Sequence, residues 1–287
     1  MNQLKLFLNL TRMDKPIGFM LLFWPCAWGL TLAYDFSSNL VDYFFYLILF
    51  FLGSILMRSA GCIVNDILDK EFDSKVFRTK NRPIASGNIS VKLGILYALF
   101  LCFLALLVLL NFNTLTIILA LGSMPLAFSY PLMKRYTYWP QLFLGITFNY
   151  GLILGWTAVK GQLDLIPIIF YFGAIFWTLG YDTIYGYQDL EDDEIIGLKS
   201  TSIKFKGREK QFLITCYIFV ILFFLFGGYA MKFSNIYYIL LIIPSLHLLF
   251  FQIKIFNSKN SKSCLRAFKS NNLLGLIIFL NILITQI

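Results

Sequence analysis

Charge and histidine are scarce in this chain. Only 14% of its 287 residues are Asp, Glu, Lys or Arg, against roughly 25% in an average soluble domain. The single histidine, His247, lies in an apolar stretch. It reads as a packed helix contact, and without a second one a haem or zinc centre built on histidine pairs is excluded. Five cysteines, at 26, 62, 102, 216 and 264, are scattered, odd in number and without metal-ligand spacing. They read as reduced thiols with no metal-binding role. A basic soluble face is missing too, which excludes nucleic-acid binding. The first apolar run is too long for a signal segment and has no small-residue cleavage site after it, so it reads as an uncleaved helix.

What is present is hydrophobic sequence. Fifty-nine per cent of the residues are apolar or aromatic, in runs of about twenty. That is the length needed to cross ~30 Å of hydrocarbon at 1.5 Å per residue. Nine spans are predicted, near 17–34, 43–63, 93–110, 114–130, 141–159, 165–186, 211–230, 236–253 and 272–287. The 31 phenylalanines are spread over all of them and read as a preference for bulky apolar residues rather than an aromatic site.

Charge placement orients the spans. Of 24 Lys and Arg, 21 fall in the N-terminal segment or the even-numbered loops; Lys160 and Lys232 lie in odd loops and Arg58 within a span. The positive-inside rule makes the even loops cytoplasmic. Net charge +9 is thus mainly a topology signal, with attraction to anionic lipid secondary. Asp69 and Asp189 are 120 residues apart with four helices between them. This layout predicts two similar four-helix halves, about 17–130 and 141–253, and a ninth helix. The basic 254–269 stretch reads as a connecting loop with little chemistry of its own.

Two acidic constellations stand out. Asn65, Asp66, Asp69 and Asp73 share one face if the second span continues as a helix, being spaced three and four apart. Like charges so spaced repel, and a hard divalent cation with oxygen ligands offsets the repulsion. In the second, Asp182, Asp189 and Asp193 or Asp192 again fall on one helical face, and Asp182 is placed inside the hydrocarbon boundary. An intramembrane carboxylate is a functional candidate by default. Glu191 and Glu194 fall off the stripe and read as solvated. Basic residues follow each cluster: Arg78, Lys80 and Arg82 after the first, Lys199 and Lys204 after the second, with Lys134 and Arg135 between. Mg²⁺ on carboxylates with Lys and Arg on phosphate oxygens is a common way to neutralise a leaving diphosphate.

The N-D-x-x-D-x-x-x-D stretch at 65–73 followed by R-T-x-x-R-P at 78–83 closely resembles the first motif of the UbiA-type intramembrane prenyltransferases. Y-D-x-x-Y-x-x-x-D-x-x-D-D at 181–193, then G-x-K-S-T at 197–201, resembles the second. Arg12–Gly18, Leu22–Pro25, Met57–Cys62, Tyr130–Thr137, and Ala267-Phe268 with Asn271-Asn272 are similar to the 4-hydroxybenzoate polyprenyltransferase branch. The resemblance covers essentially the whole chain, and no carboxylate is missing from it.

The resemblance implies an all-α polytopic membrane protein of about nine helices around a central cavity opening laterally to lipid. The implied reaction transfers a polyprenyl group from its diphosphate to the carbon ortho to the phenol of 4-hydroxybenzoate, an early ubiquinone step, in the inner (cytoplasmic) membrane. Asn65, Asp66, Asp69, Asp73, Asp189 and Asp193 would hold Mg²⁺ and diphosphate. Arg78, Arg82 and Lys199 would touch phosphate oxygens, Arg135 beside Lys134 would hold the substrate carboxylate, and Asp182 or Asp189 would act near the phenol. Two alternatives stay open: a sister enzyme with another aromatic acceptor, and an ion or metabolite transporter. Transporters place charged sites near the bilayer midplane, whereas both clusters here lie at a membrane face.

Overall fold

The computed structural model describes residues 3–287. Eight described helices are long and apolar enough to cross a membrane, and a shorter apolar one, α1 (Ile17–Ala33), makes the ninth. The eight are α2 (Leu40–Leu68), α3 (Val91–Leu109), α4 (Thr114–Ser129, running on through short turns to Tyr136), α5 (Pro140–Lys160), α6 (Leu165–Gly186), α7 (Glu209–Ala230), α8 (Asn235–Ile255) and α9 (Ser261–Gln286). Their starts are written in the sequence. Side chains of Asn39, Ser90, Asn113 and Asp164 accept first-turn amides of α2, α3, α4 and α6, satisfying groups no earlier carbonyl can reach. Gly161, at φ +64°, ends α5 in the left-handed conformation that glycine tolerates.

Burial sorts the helices. In α5 and α6 61% of the apolar window is buried, against 17% in α3 and α4. α5 and α6 therefore form the hub with α1, and α3, α4, α7 and α8 turn Leu, Ile and Phe outward to lipid. α1 packs against α5 closely enough that a Cβ on Gly29 would overlap the Leu152 backbone, and one on Gly155 the Cys26 carbonyl. Small residues at such crossings let membrane helices approach. An earlier helix, Gln3–Thr11, tucks Leu6 and Leu10 beside Ala60 and Ile63 of α2.

A buried polar cluster joins the later helices. Pro244 interrupts α8, which widens into a π-type turn over His247–Gln252. Gln252 then accepts from Tyr217 at 2.7 Å and donates to Asn271 at 2.8 Å, and Trp177 donates to Asn271 at 2.7 Å.

One boundary departs from the sequence reading. The last helix begins at Ser261, eleven residues before the predicted 272. Its polar first turns conceal a packing face of Cys264, Ala267, Phe268 and Asn271, which hydropathy averaging dilutes. The expected 254–269 loop shrinks accordingly to the few residues between Ile255 and Ser261.

Candidate active site

The first acidic stripe forms because the helical hydrogen bonds run on past the end of α2. Asp69 N donates to Asn65 O at 2.9 Å and Asp73 N to Asp69 O at 2.8 Å. The i, i+4 spacing is therefore real in three dimensions. Asp66 and Asp69 are 1% exposed and Asp73 6%. Carboxylates so buried need cations, and the chain supplies them. Arg12 Nη2 reaches Asp66 Oδ1 at 2.5 Å; Arg82 Nη1 bridges Asp66 at 3.2 Å and Asp73 at 2.7 Å. Lys134 Nζ meets Asp69 Oδ2 at 2.5 Å, and Arg135 stands 3.8 Å from Asp69 Oδ1. Burial pushes the Asp73 carboxyl above the ordinary range, with Arg82 opposing.

The second motif closes over the first. Arg78 donates two hydrogen bonds to Asp189, through Nε at 2.6 Å and through Nη2, and its Nη1 reaches Tyr185 Oη at 3.0 Å. A second bond lies beside this clamp: Phe77 N donates to Asp192 Oδ2 at 3.3 Å. Burial, with Asp189 beside it, pushes the Asp193 carboxyl up to about 7, opposed by Lys134 and Arg78. The two motifs, 120 residues apart in sequence, thus form one site.

The remaining predicted residues divide. Asn65 sits on the stripe, and its side-chain amide makes no protein hydrogen bond among the described residues. Asp182 is half-buried on α6 in no ion pair among the described residues; the charge that acts on it is that of Arg58. Arg135 donates to Leu68 O at 2.5 Å and lies over the Phe72 ring, 5.0 Å from its centroid. Lys199 is placed elsewhere: Nζ donates to Tyr136 O at 3.1 Å and lies over Tyr138. Its segment braces the site instead. Lys199 N holds Lys134 O at 2.8 Å, and Thr201 and Ser202 bond to Thr183 on α6. Glu194 is paired with Lys206 at 2.7 Å.

Beneath the charges lies an apolar cavity of about 400 Å³ between α1, α2, α3, α4 and α5. Its lining on α2 runs from Leu49 to Gly61, roughly 18 Å of helix. Arg58 is its only charged lining residue, stacked 5.2 Å from the Phe148 centroid at the end nearest the aspartates, with Tyr130 also lining the wall.

Three residues escaped the sequence reading. Arg12 opens the Arg12–Gly18 stretch, but its contact with Asp66 spans 54 residues; it is a non-glycine residue at φ +55°, a conformation retained when surrounding contacts over-determine it. Arg58 could have been found as an ionisable group inside a span, a functional candidate for the same reason as Asp182. Tyr185 lay within the motif, but its contact with Arg78 spans 107 residues.

A divalent cation suits the donor set. Among the described residues, Asp66 Oδ2 and Asp69 Oδ1 are buried and accept no hydrogen bond, oxygen donors of the kind Mg²⁺ takes. No three His, Cys, Asp or Glu among the described residues converge as a ready-made metal cage; Arg12, Arg78, Arg82 and Lys134 are paired with the carboxylates instead.

Comparison with known proteins follows the same lines. The sequence profile of the UbiA prenyltransferase family matches residues 22–282. The chain is 43% identical over 279 residues to the 4-hydroxybenzoate polyprenyltransferase, mitochondrial, of Rattus norvegicus, covering 97% of this chain and 74% of that one. The Arabidopsis thaliana protein of the same description is 44% identical, covering 95% and 67%. Among solved structures, a UbiA homolog from Aeropyrum pernix K1 shares the fold with TM-score 0.78 and 22% identity, over 93% of this chain and 98% of that one. A homolog from Archaeoglobus fulgidus, described as bound to GPP and Mg²⁺, does so with TM-score 0.69 and 18% identity, over 95% and 99%.

Proposed function

The chain belongs to the UbiA prenyltransferase family, and from that premise we propose that it transfers a polyprenyl group from polyprenyl diphosphate to 4-hydroxybenzoate, ortho to the phenol, in ubiquinone biosynthesis. The observation that carries this reading is the clamp between motifs, Arg78 on Asp189, set over an apolar cavity with one cation in its wall. Aspartates and basic side chains meet there in the alternation a metal diphosphate requires.

Mg²⁺ would be held by Asp66, Asp69, Asp73, Asp189 and Asp193 with Asn65, and when bound it supplies positive charge that stabilises the departing diphosphate. Arg78, Arg82 and Lys134 exchange their carboxylate partners for phosphate oxygens, a trade Arg makes bidentately. Lys199, whose Nζ donates to Tyr136 O, positions Lys134 for the phosphate through its backbone N–H bond to Lys134 O. The polyprenyl chain lies in the apolar cavity, whose walls keep water from the allylic cation formed when the C–O bond breaks with its electron pair on the diphosphate. The ring carbon of 4-hydroxybenzoate then supplies the electrons of the new C–C bond and loses its proton.

The acceptor has two candidate carboxylate partners. Arg135, read from sequence, is already bonded to a backbone carbonyl and close to Asp69. Arg58, at the polar end of the cavity, is in no ion pair among the described residues and is the better placed. Asp182, within reach of the Arg58 charge, is the group to face the phenol. The proposed location is the inner (cytoplasmic) membrane with the motif loops on the cytoplasmic side; the bias of 21 of 24 basic residues to the N-terminal segment and the even loops supports that orientation.

The test is incorporation of labelled 4-hydroxybenzoate into lipid by membranes containing the protein, with a panel of polyprenyl diphosphates. Incorporation that requires Mg²⁺ and is lost in Asp69→Ala and Asp189→Ala is expected. No incorporation with any donor, from protein correctly inserted, refutes the reading.

A further inference from the structure

A second concave site, lined by none of the aspartates, lies between the segment that leads into α7 and the segment that leaves α8. It measures about 550 Å³ and brings together Arg208 and Lys210 from the first segment and Lys254 and Asn257 from the second. Buried Phe256 lies among its lining residues. None of the three cations forms an ion pair among the described residues. Glu209 is the single acid in the lining and is outnumbered three to one. Both segments sit where a membrane helix begins or ends, so the site lies at the depth of lipid headgroups.

The surface leading away from it is that of an acyl-chain track. Lys210, Ile214, Ile218 and Leu222 follow at intervals of four on one face of α7, and the three apolar residues are exposed by 37%, 45% and 52%. One turn before Lys254, Phe250 of α8 is 67% exposed. A basic cleft with an apolar residue in its wall and apolar stripes running into the hydrocarbon matches a molecule with an anionic phosphate head and long chains.

We infer that this cleft binds the headgroup of an anionic phospholipid, with its acyl chains lying along α7 and α8. A free phosphate anion would use the same cations but gain nothing from the stripes, and a zwitterionic lipid would bring its own positive charge against them. Each basic residue near the surface adds to the attraction for an anionic lipid, so loss of all three cations should lower retention by roughly tenfold or more.

The test uses the full chain purified in neutral detergent, with retained lipids counted by native mass spectrometry after addition of phosphatidylglycerol or phosphatidylcholine. One phosphatidylglycerol should be held at concentrations where phosphatidylcholine is not. The triple variant Arg208→Gln, Lys210→Gln, Lys254→Gln should lose it by roughly tenfold or more. A charge-matched control, Lys259→Gln, Lys262→Gln, Lys269→Gln, removes exposed cations outside the cleft and should retain it. Unchanged turnover in detergent shows that both variants are folded. Equal loss in the control, equal retention of phosphatidylcholine, or displacement of the lipid by millimolar inorganic phosphate would each overturn the assignment.

Discussion

Exchanging the charges of the inter-motif clamp separates holding the loops together from doing chemistry. In Arg78→Asp with Asp189→Arg, an acid and a guanidinium still face each other across the loops, so the tie can re-form. The tie itself is worth little: the Arg78 side chain is 37% exposed and Asp189 15%, so solvent screens the pair and its net contribution is about 1 kcal/mol or less. Each single variant should therefore lower thermal stability slightly, and the exchanged pair should recover most of that loss. Turnover should behave otherwise. A metal site needs the carboxylate on the second motif and the leaving diphosphate needs the cation on the first, and removing one such group costs about 10²–10³ in rate. The exchanged protein loses both, although groups that act as one unit do not add. It should stay at least a hundredfold below the native enzyme. Thermal unfolding in detergent and incorporation of labelled 4-hydroxybenzoate read the two effects side by side. Recovery of a tenth or more of native turnover by the exchanged pair would show that Arg78 and Asp189 merely tie the loops together.

Further tests address the acceptor, the cavity and the metal. Arg58→Gln should raise the KM for 4-hydroxybenzoate at least tenfold with little change in donor KM, since a charge-assisted bond to a carboxylate is worth ~1.5–3 kcal/mol; Arg135→Gln showing the larger acceptor effect would restore the role to Arg135. Gly53 lines the cavity, with only Val108 within 4.0 Å of an added Cβ. Gly53→Phe should therefore suppress transfer from long donors more than from geranyl diphosphate, measured by a donor-length series, and a uniform loss would count against the cavity as the chain site. The Asp193 carboxyl, raised to about 7 by burial, holds a proton below that pH, and Mg²⁺ must displace it. The Mg²⁺ concentration for half-maximal turnover should fall as pH rises from 6 towards 7.5 and level off above, a slope that Asp193→Asn should flatten.

Much of this was legible without a structure, because a bilayer imposes rules that a sequence displays openly. Apolar length, the bias of Lys and Arg between loops, and residues spaced three and four apart are local or one-dimensional properties. They suffice for the helices, the facing of Asp66, Asp69 and Asp73, and the kind of ion such a stripe attracts. The start of α9 was hidden because a helix with one polar face, Ser261 to Asn272, has no apolar average to detect.

By itself, then, the sequence determined the membrane class, the helices, the two acidic motifs and the family, since each is carried by composition or by residues close together in the chain. Tertiary structure alone decided which charges meet. Arg12 on Asp66, Lys134 on Asp69 and Arg78 on Asp189 join positions 54, 65 and 111 residues apart, and no local pattern encodes such pairings. It also moved Lys199 onto a backbone carbonyl and brought Arg58 to the end of the cavity. Those placements follow from how α1 packs against α2 and α5, and α5 against α6, a result of packing over the whole chain.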